Sequence, residues 1–140
     1  MTYSIITNEQ QNRIVDILRS YGAVVGYLFG SYARGRAGYL SDIDIGVIFP
    51  KNMALENQSE QVENIRNDLE KIFGRDKVDV TNVPKLHNPL LRYIITLGEG
   101  KVLFADDVLV KNRIADIARR EFEDTHYLRS IQYQALKSLF

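Results

Sequence analysis

GYLFGSYARGRAGYLSDIDIGVIF, residues 26–49, is the stretch that decides the fold of this chain. An apolar run ends at Phe29 in Gly30-Ser31, and ten residues later a second run opens with Asp42-Ile43-Asp44. Side chains two apart on a strand share a face, so Asp42 and Asp44 project together while Ile43 and Ile45 turn to the other side. Adjacent carboxylates repel each other and are costly to bury uncompensated. A divalent cation that prefers oxygen ligands, such as magnesium, removes both problems. Gly30 and Ser31 lie between a strand and a helical turn, where backbone N–H groups and a hydroxyl can meet phosphate oxygens. Each feature alone has an ordinary alternative: solvated aspartates at a strand mouth, or a plain tight turn.

Asp79 changes the balance. In Lys77 to Val83 (KVDVTNV) the alternation buries the valines and puts Asp79 on the opposite face. If this third strand neighbours the second, Asp79 completes a cluster of three carboxylates. Such a cluster can hold two metal ions ~4 Å apart, which polarise a phosphoryl group and activate an incoming hydroxyl. Arg34 and Arg36 fall in the loop between the two motifs, where they either neutralise a polyphosphate or remain surface charges. Ser41 either contacts a nucleotide or starts the strand.

Working outward, helical and strand signals alternate. Thr7 to Gly22 reads as a helix with a Thr7–Gln10 capping box and Gly22 at its end. Ala23 to Phe29 reads as a buried strand, and Asp42 to Phe49 as a second one stopped by Pro50. Leu55 to Phe73 carries an amphipathic stripe (Val62, Ile65, Leu69, Ile72) and ends at Gly74. Asn88-Pro89 makes an N-cap and first-turn pair for a helix to Leu97. Lys101 to Phe104 is a fourth short strand, and Asp106 is the expected cap of a long helical region reaching Leu139, broken near Thr125. The alternation predicts a small α/β (α+β) domain spanning residues 1–140, with one mixed sheet of about four strands flanked by helices and residues 106–140 as a C-terminal helical region.

Composition narrows the functional classes. The 140 residues are 45% apolar and 26% charged, and 18 Lys and Arg balance 18 Asp and Glu. A net charge of zero argues against a broad nucleic-acid surface. Without cysteine there is no disulfide, thiolate metal site or Cys nucleophile. The opening MTYSIITNEQ lacks the basic and apolar regions of a signal peptide, and the apolar runs are too short to cross a membrane. A cytoplasmic location is the resulting expectation.

The spacing of Gly30-Ser31 from Asp42-Ile43-Asp44, with Asp79 in Val-Asp-Val, resembles the signature of the nucleotidyltransferase superfamily that includes DNA polymerase beta. The compact form GSYARGRAGYLSDIDIGV and the closing NPLLRYIITLGEGKVLF resemble the minimal nucleotidyltransferases, the MNT antitoxins of HEPN–MNT toxin–antitoxin pairs. The resemblance implies that Asp42 and Asp44 ligate two Mg²⁺ ions and that Asp79 completes the site and deprotonates the acceptor. It implies that Gly30 and Ser31 hold the triphosphate of ATP, with Arg34 and Ser41 nearby. The implied reaction is transfer of AMP to a tyrosine of a partner HEPN ribonuclease toxin, in a hetero-oligomer with it. Adenine follows from the resemblance alone. A non-catalytic antitoxin that occludes the toxin, or a nucleotidyltransferase acting on a small molecule or RNA, are the alternatives.

Other suggestive residues read more simply. Arg119 or Arg120 with His126 and Tyr127 loosely resembles the HEPN ribonuclease pattern, but Leu128 occupies the tyrosine position, so a surface stretch of helix is expected. His87 is read as a loop residue before the Asn88 cap. Leu136 to Phe140 extends past what the sheet needs and is the expected meeting point with a partner or a second copy.

Overall fold

The computed structural model describes residues 3–125 together with 130, 133 and 134. Ten elements follow one another: α1 (Asn8–Ser20), β1 (Val25–Phe29), α2 (Gly30–Ala33), β2 (Ile43–Ile48), α3 (Leu55–Phe73), β3 (Val78–Asn82), a 3₁₀ turn (Val83–Lys85), α4 (Pro89–Thr96), β4 (Lys101–Ala105) and α5 (Val108–Asp124). The strands form one mixed sheet in the order β3-β2-β1-β4. β1 is antiparallel to both β2 and β4, whereas β2 and β3 run parallel through the crossover helix α3. The expected α/β architecture is therefore the observed one.

Local chemistry sets the element ends. Thr7 Oγ1 accepts the Gln10 N–H at 3.1 Å while Gln10 Oε1 accepts the Thr7 N–H at 3.0 Å, closing the expected capping box. Asn88 Oδ1 accepts the N–H groups of Leu90 and Leu91 and so caps α4 ahead of Pro89. The cap of α5 differs from expectation. Asp107, not Asp106, accepts the Val110 N–H at 3.1 Å. Asp106 turns outward to a two-bonded ion pair with Arg19 of α1, 2.9 Å on each arm. Either aspartate could have capped the helix; the side chain with a cationic partner was drawn away from the role. α5 ends at Asp124 with Thr125 as its C-cap, where the break was expected. His126, Tyr127, Leu128 and the proposed contact end Leu136 to Phe140 lie outside the described residues.

Helices cover both faces of the sheet. On one face Ile14 and Leu18 of α1 and Ile65 and Leu69 of α3 pack against Leu28, Ile43, Ile45, Val47, Val78 and Val80. On the other, Ile95 of α4 and Val110 and Ile114 of α5 pack with Val83 against Val25, Tyr27, Phe29 and Ile48. Burying each such side chain stabilises the fold by about 1.5–3 kcal/mol. Gly46 lies at the centre of the second face, and a Cβ there would sit 2.9 Å from Val83 Cγ2. The missing side chain lets the 3₁₀ turn settle directly on β2, fixing the chain as it leaves β3.

Arg92 locks that turn from α4. Buried in the second layer, it donates through Nε to the Val83 carbonyl at 3.2 Å and through Nη2 to the Leu86 carbonyl. Its Nη1 donates to both carboxylate oxygens of Glu121 on α5, at 2.8 and 2.6 Å. One guanidinium thus joins α4, α5 and the segment after β3. Among the described residues, no helix is long and apolar enough to cross a membrane.

Candidate active site

The strand pairings decide which motif residues meet. Phe29 of β1 lies opposite Asp44 of β2, and Asp44 lies opposite Asp79 of β3. Phe29, Asp44 and Asp79 therefore form one row across three strands, with Gly30 immediately beyond Phe29. Asp42 shares the face of Asp44 and precedes β2 by one residue. The face alternates as the sequence predicts, with Ile43 and Ile45 buried on the opposite side.

Position in the row gives the three carboxylates different surroundings. Asp44 is on the second strand, enclosed by neighbours on both sides, and is half-buried; Asp42 and Asp79 are exposed. Burial, then the negative charges of Asp79 and Asp42, push the Asp44 carboxyl up to about 6, while Arg34 pulls it the other way. The aspartates line one mouth, yet among the described residues no three acidic or histidine side chains close around a shared metal position. Their donor set nevertheless fits a hard divalent cation: every ligand is a carboxylate oxygen, and positive charge would offset all three influences that raise Asp44.

Gly30 is held to Asp44 by contact. It has φ +71°, and a Cβ built on it would lie 2.1 Å from Asp44 Oδ2. Only glycine suits both the left-handed backbone and the proximity of the carboxylate. Ser31 follows in α2, whose first N–H groups have no partner within so short a helix. The loop closes on itself through Arg36 N–H to Ser31 O at 2.9 Å.

Arg34 reaches toward the mouth and pairs with Glu99 at 3.4 Å, in a partly exposed salt bridge. Together with Ala33 and Arg36 these two residues line an open cavity of about 380 Å³. Glu99 carries no sequence signal, because its approach depends on β4 pairing with β1: Leu28 lies opposite Lys101, which brings the turn before β4 beside α2. Ser41 turns into its own loop, where its Oγ accepts the Gly38 N–H at 2.8 Å, leaving its hydroxyl proton to donate. His87 is exposed in the segment before α4, as expected of a loop residue.

Comparison with known proteins agrees with this geometry. The family model described as polymerase beta, nucleotidyltransferase, matches residues 12–108. Two proteins of Methanocaldococcus jannaschii, both bearing the name "Putative protein adenylyltransferase", are similar in sequence. One is 35% identical over 85 residues, covering 61% of this chain and 85% of its own length. The other is 48% identical over 65 residues, covering 46% of this chain and 62% of its own. In structure, the chain is similar to one from a toxin–antitoxin crystal structure with AMP-PNP, with TM-score 0.67, 21% identity and coverage of 91% of this chain and 98% of that one. It is also similar to a chain from a complex of tri-AMPylated Shewanella oneidensis HEPN toxin with MNT antitoxin, with TM-score 0.61, 19% identity and coverage of 91% and 95%. At these identities the structural likeness speaks for the fold. With the family model spanning well over half of its length and the Phe29–Asp44–Asp79 row with Gly30 beside it at its centre, the chain belongs to the polymerase beta nucleotidyltransferase family.

Proposed function

We propose that this chain is an antitoxin that transfers AMP from ATP to a tyrosine of a partner HEPN ribonuclease toxin and thereby silences it. The observation that carries the reading is the row that brings the Gly30-Ser31 turn against Asp44 and Asp44 against Asp79. The names of the sequence relatives support adenylyl transfer, and the origin of the structural neighbours supports a toxin partner. In this reading residues 1–140 act as one nucleotidyltransferase domain in the cytoplasm, in a hetero-oligomer with the toxin.

Asp42, Asp44 and Asp79 would hold two Mg²⁺ ions, which supply charge neutralisation at the triphosphate and activation of the attacking hydroxyl. Asp44 acts ionised, so it must lose the proton that its burial favours. Gly30 leaves room for that carboxylate, and Ser31 offers its N–H and hydroxyl to the phosphates. Arg34 exchanges Glu99 for a phosphate oxygen, a stronger charge-assisted partner. Ser41 keeps the loop closed and can donate its hydroxyl proton to the nucleotide. The tyrosine oxygen attacks the α-phosphorus, its proton passes to Asp79, and the bond to pyrophosphate breaks.

The test is incubation of the chain with the toxin, ATP and Mg²⁺, followed by intact-mass measurement of the toxin. A gain in steps of AMP that disappears in Asp42→Ala/Asp44→Ala supports transfer. Neutralisation by that double variant without a mass gain would show inhibition by occlusion instead.

A further inference from the structure

At the end of β2 opposite the carboxylate mouth, a cavity of about 150 Å³ opens between β2, the 3₁₀ turn, α3 and α5. Its apolar floor includes Ile48 and Ile114, and its rim carries Lys51, Lys85, Arg113 and Gln58. Among the described residues no carboxylate lines it. Among the described residues none of the three cations has an ion pair or hydrogen bond, whereas Arg19, Arg34, Arg66, Arg92 and Arg119 each have a carboxylate partner. Gln58 is fixed in place, donating to the Met53 carbonyl at 2.8 Å and accepting from Asn82 at 2.9 Å, so one of its amide hydrogens remains to donate.

Three like charges from three separate segments around one concavity raise its potential for anions, and the low-dielectric floor focuses it. The volume equals roughly five waters, enough for a phosphate and well below the ~300 Å³ at which nucleoside-sized pockets begin. Arg113 adds a planar fork suited to two phosphate oxygens. Asp44 and Ile48 are four residues apart, so the cavity is about 14 Å along the strand from the mouth. Val83 and Ile95, packed over Gly46, fill the space between. We propose that this cavity is a second anion site that binds a phosphate group, independently of the nucleotide site. Bound there, the anion joins the end of β2 and the 3₁₀ turn to α5.

The experiment is a thermal-unfolding titration of the full chain with inorganic phosphate, pyrophosphate and acetate, with ionic strength held constant by NaCl. The expected result is a rise in Tm of about 3–5 °C at tenfold saturation with phosphate or pyrophosphate, and none with acetate. A stronger response to pyrophosphate than to phosphate identifies a diphosphate as the preferred source, and the reverse identifies the free monophosphate. Lys85→Gln/Arg113→Gln should keep the phosphate-free Tm and lose most of the shift. Arg34→Gln, which removes the cation proposed to hold phosphate at the nucleotide site, should keep the shift, which separates the two sites whether or not the chain transfers AMP. An undiminished shift in Lys85→Gln/Arg113→Gln, an equal shift with acetate, or no shift in the parent chain would overturn the proposal.

Discussion

Gly30→Ala tests whether the Gly-Ser turn and Asp44 work as one unit. The added methyl group meets two obstacles. At φ +71° an L-residue is strained by about 1–2 kcal/mol, which for a chain of this size lowers Tm by about 3–8 °C. The new Cβ would also lie 2.1 Å from Asp44 Oδ2. An ordinary carbon–oxygen contact is more than 3 Å, so the carboxylate must retreat by about 1 Å or the turn must move away from it. A displacement of that size at a reacting centre can cost about 100-fold in rate. The variant should therefore fold, melt a few degrees lower, and transfer AMP to the toxin about 100-fold more slowly, measured with α-labelled ATP at a temperature well below both transitions. A control at Gly35, also at positive φ (+70°) but with open space around its Cβ, should show a similar backbone penalty and near-normal transfer. If Gly30→Ala retains full activity, or if Gly35→Ala loses as much, the contact with Asp44 has no special role in the reaction.

The other predictions concern charge and the core. The Asp44 carboxyl, raised to about 6 from 3.8, binds its proton more tightly folded than unfolded, so its contribution to stability falls as pH rises from about 4 to 6. Asp44→Asn should flatten that fall, giving a variant as stable as the parent near pH 4 and more stable at pH 7 in chelator, as read by urea unfolding across pH. Asp79→Asn should abolish transfer, should bring the Asp44 titration, followed by NMR, part of the way back toward its ordinary range, and should therefore raise Tm slightly at pH 7 in chelator. Arg92→Met strands the buried Val83 carbonyl and the half-buried Leu86 carbonyl and releases the partly exposed Glu121, and should cost about 2–3 kcal/mol in denaturant unfolding. Tyr27→Phe removes a buried hydroxyl that has no hydrogen-bond partner among the described residues, and should be neutral or stabilise by about 1 kcal/mol in the same assay.

Sequence made the site legible because strand periodicity is a local property. Alternation alone separates Asp42 and Asp44 from Ile43 and Ile45, and Asp79 from Val78 and Val80, and the observed faces agree. It could not supply the pairing of β2 with β3, a contact between segments about 35 residues apart on which the meeting of Asp44 and Asp79 depends. Caps show the same division. Thr7 and Asn88 were readable because their partners lie within three residues. The choice between Asp106 and Asp107 was not, because it rests on Arg19, 87 positions away from Asp106. Arg92 left a faint signal as the one charge in PLLRYIIT; its burial became meaningful only with Glu121 and the Val83 and Leu86 carbonyls in place. Glu99 left none.

The balanced net charge conceals a strong polarity. Eighteen cationic and eighteen anionic side chains sum to zero, but the fold does not mix them evenly along β2. At its beginning, Asp42 and Asp44 with neighbouring Asp79 concentrate negative charge, which adds to burial in holding the Asp44 carboxyl up to about 6. Past its end, Lys51 with Lys85 and Arg113 surrounds a cavity that, among the described residues, no carboxylate lines. Each cluster draws on separate segments: the β2–β3 pairing brings Asp79 to Asp44 and Lys85 toward Lys51, and the packing of α5 on the second face adds Arg113. Repulsion within each cluster opposes folding, while the apolar layers on both faces and the Arg92 tie hold the segments together. A sheet built for stability alone would intersperse these charges, since mixing lowers self-repulsion at no cost in burial. Their separation to opposite ends of one buried strand is what the two proposals require, a cation held at one end and an anion at the other.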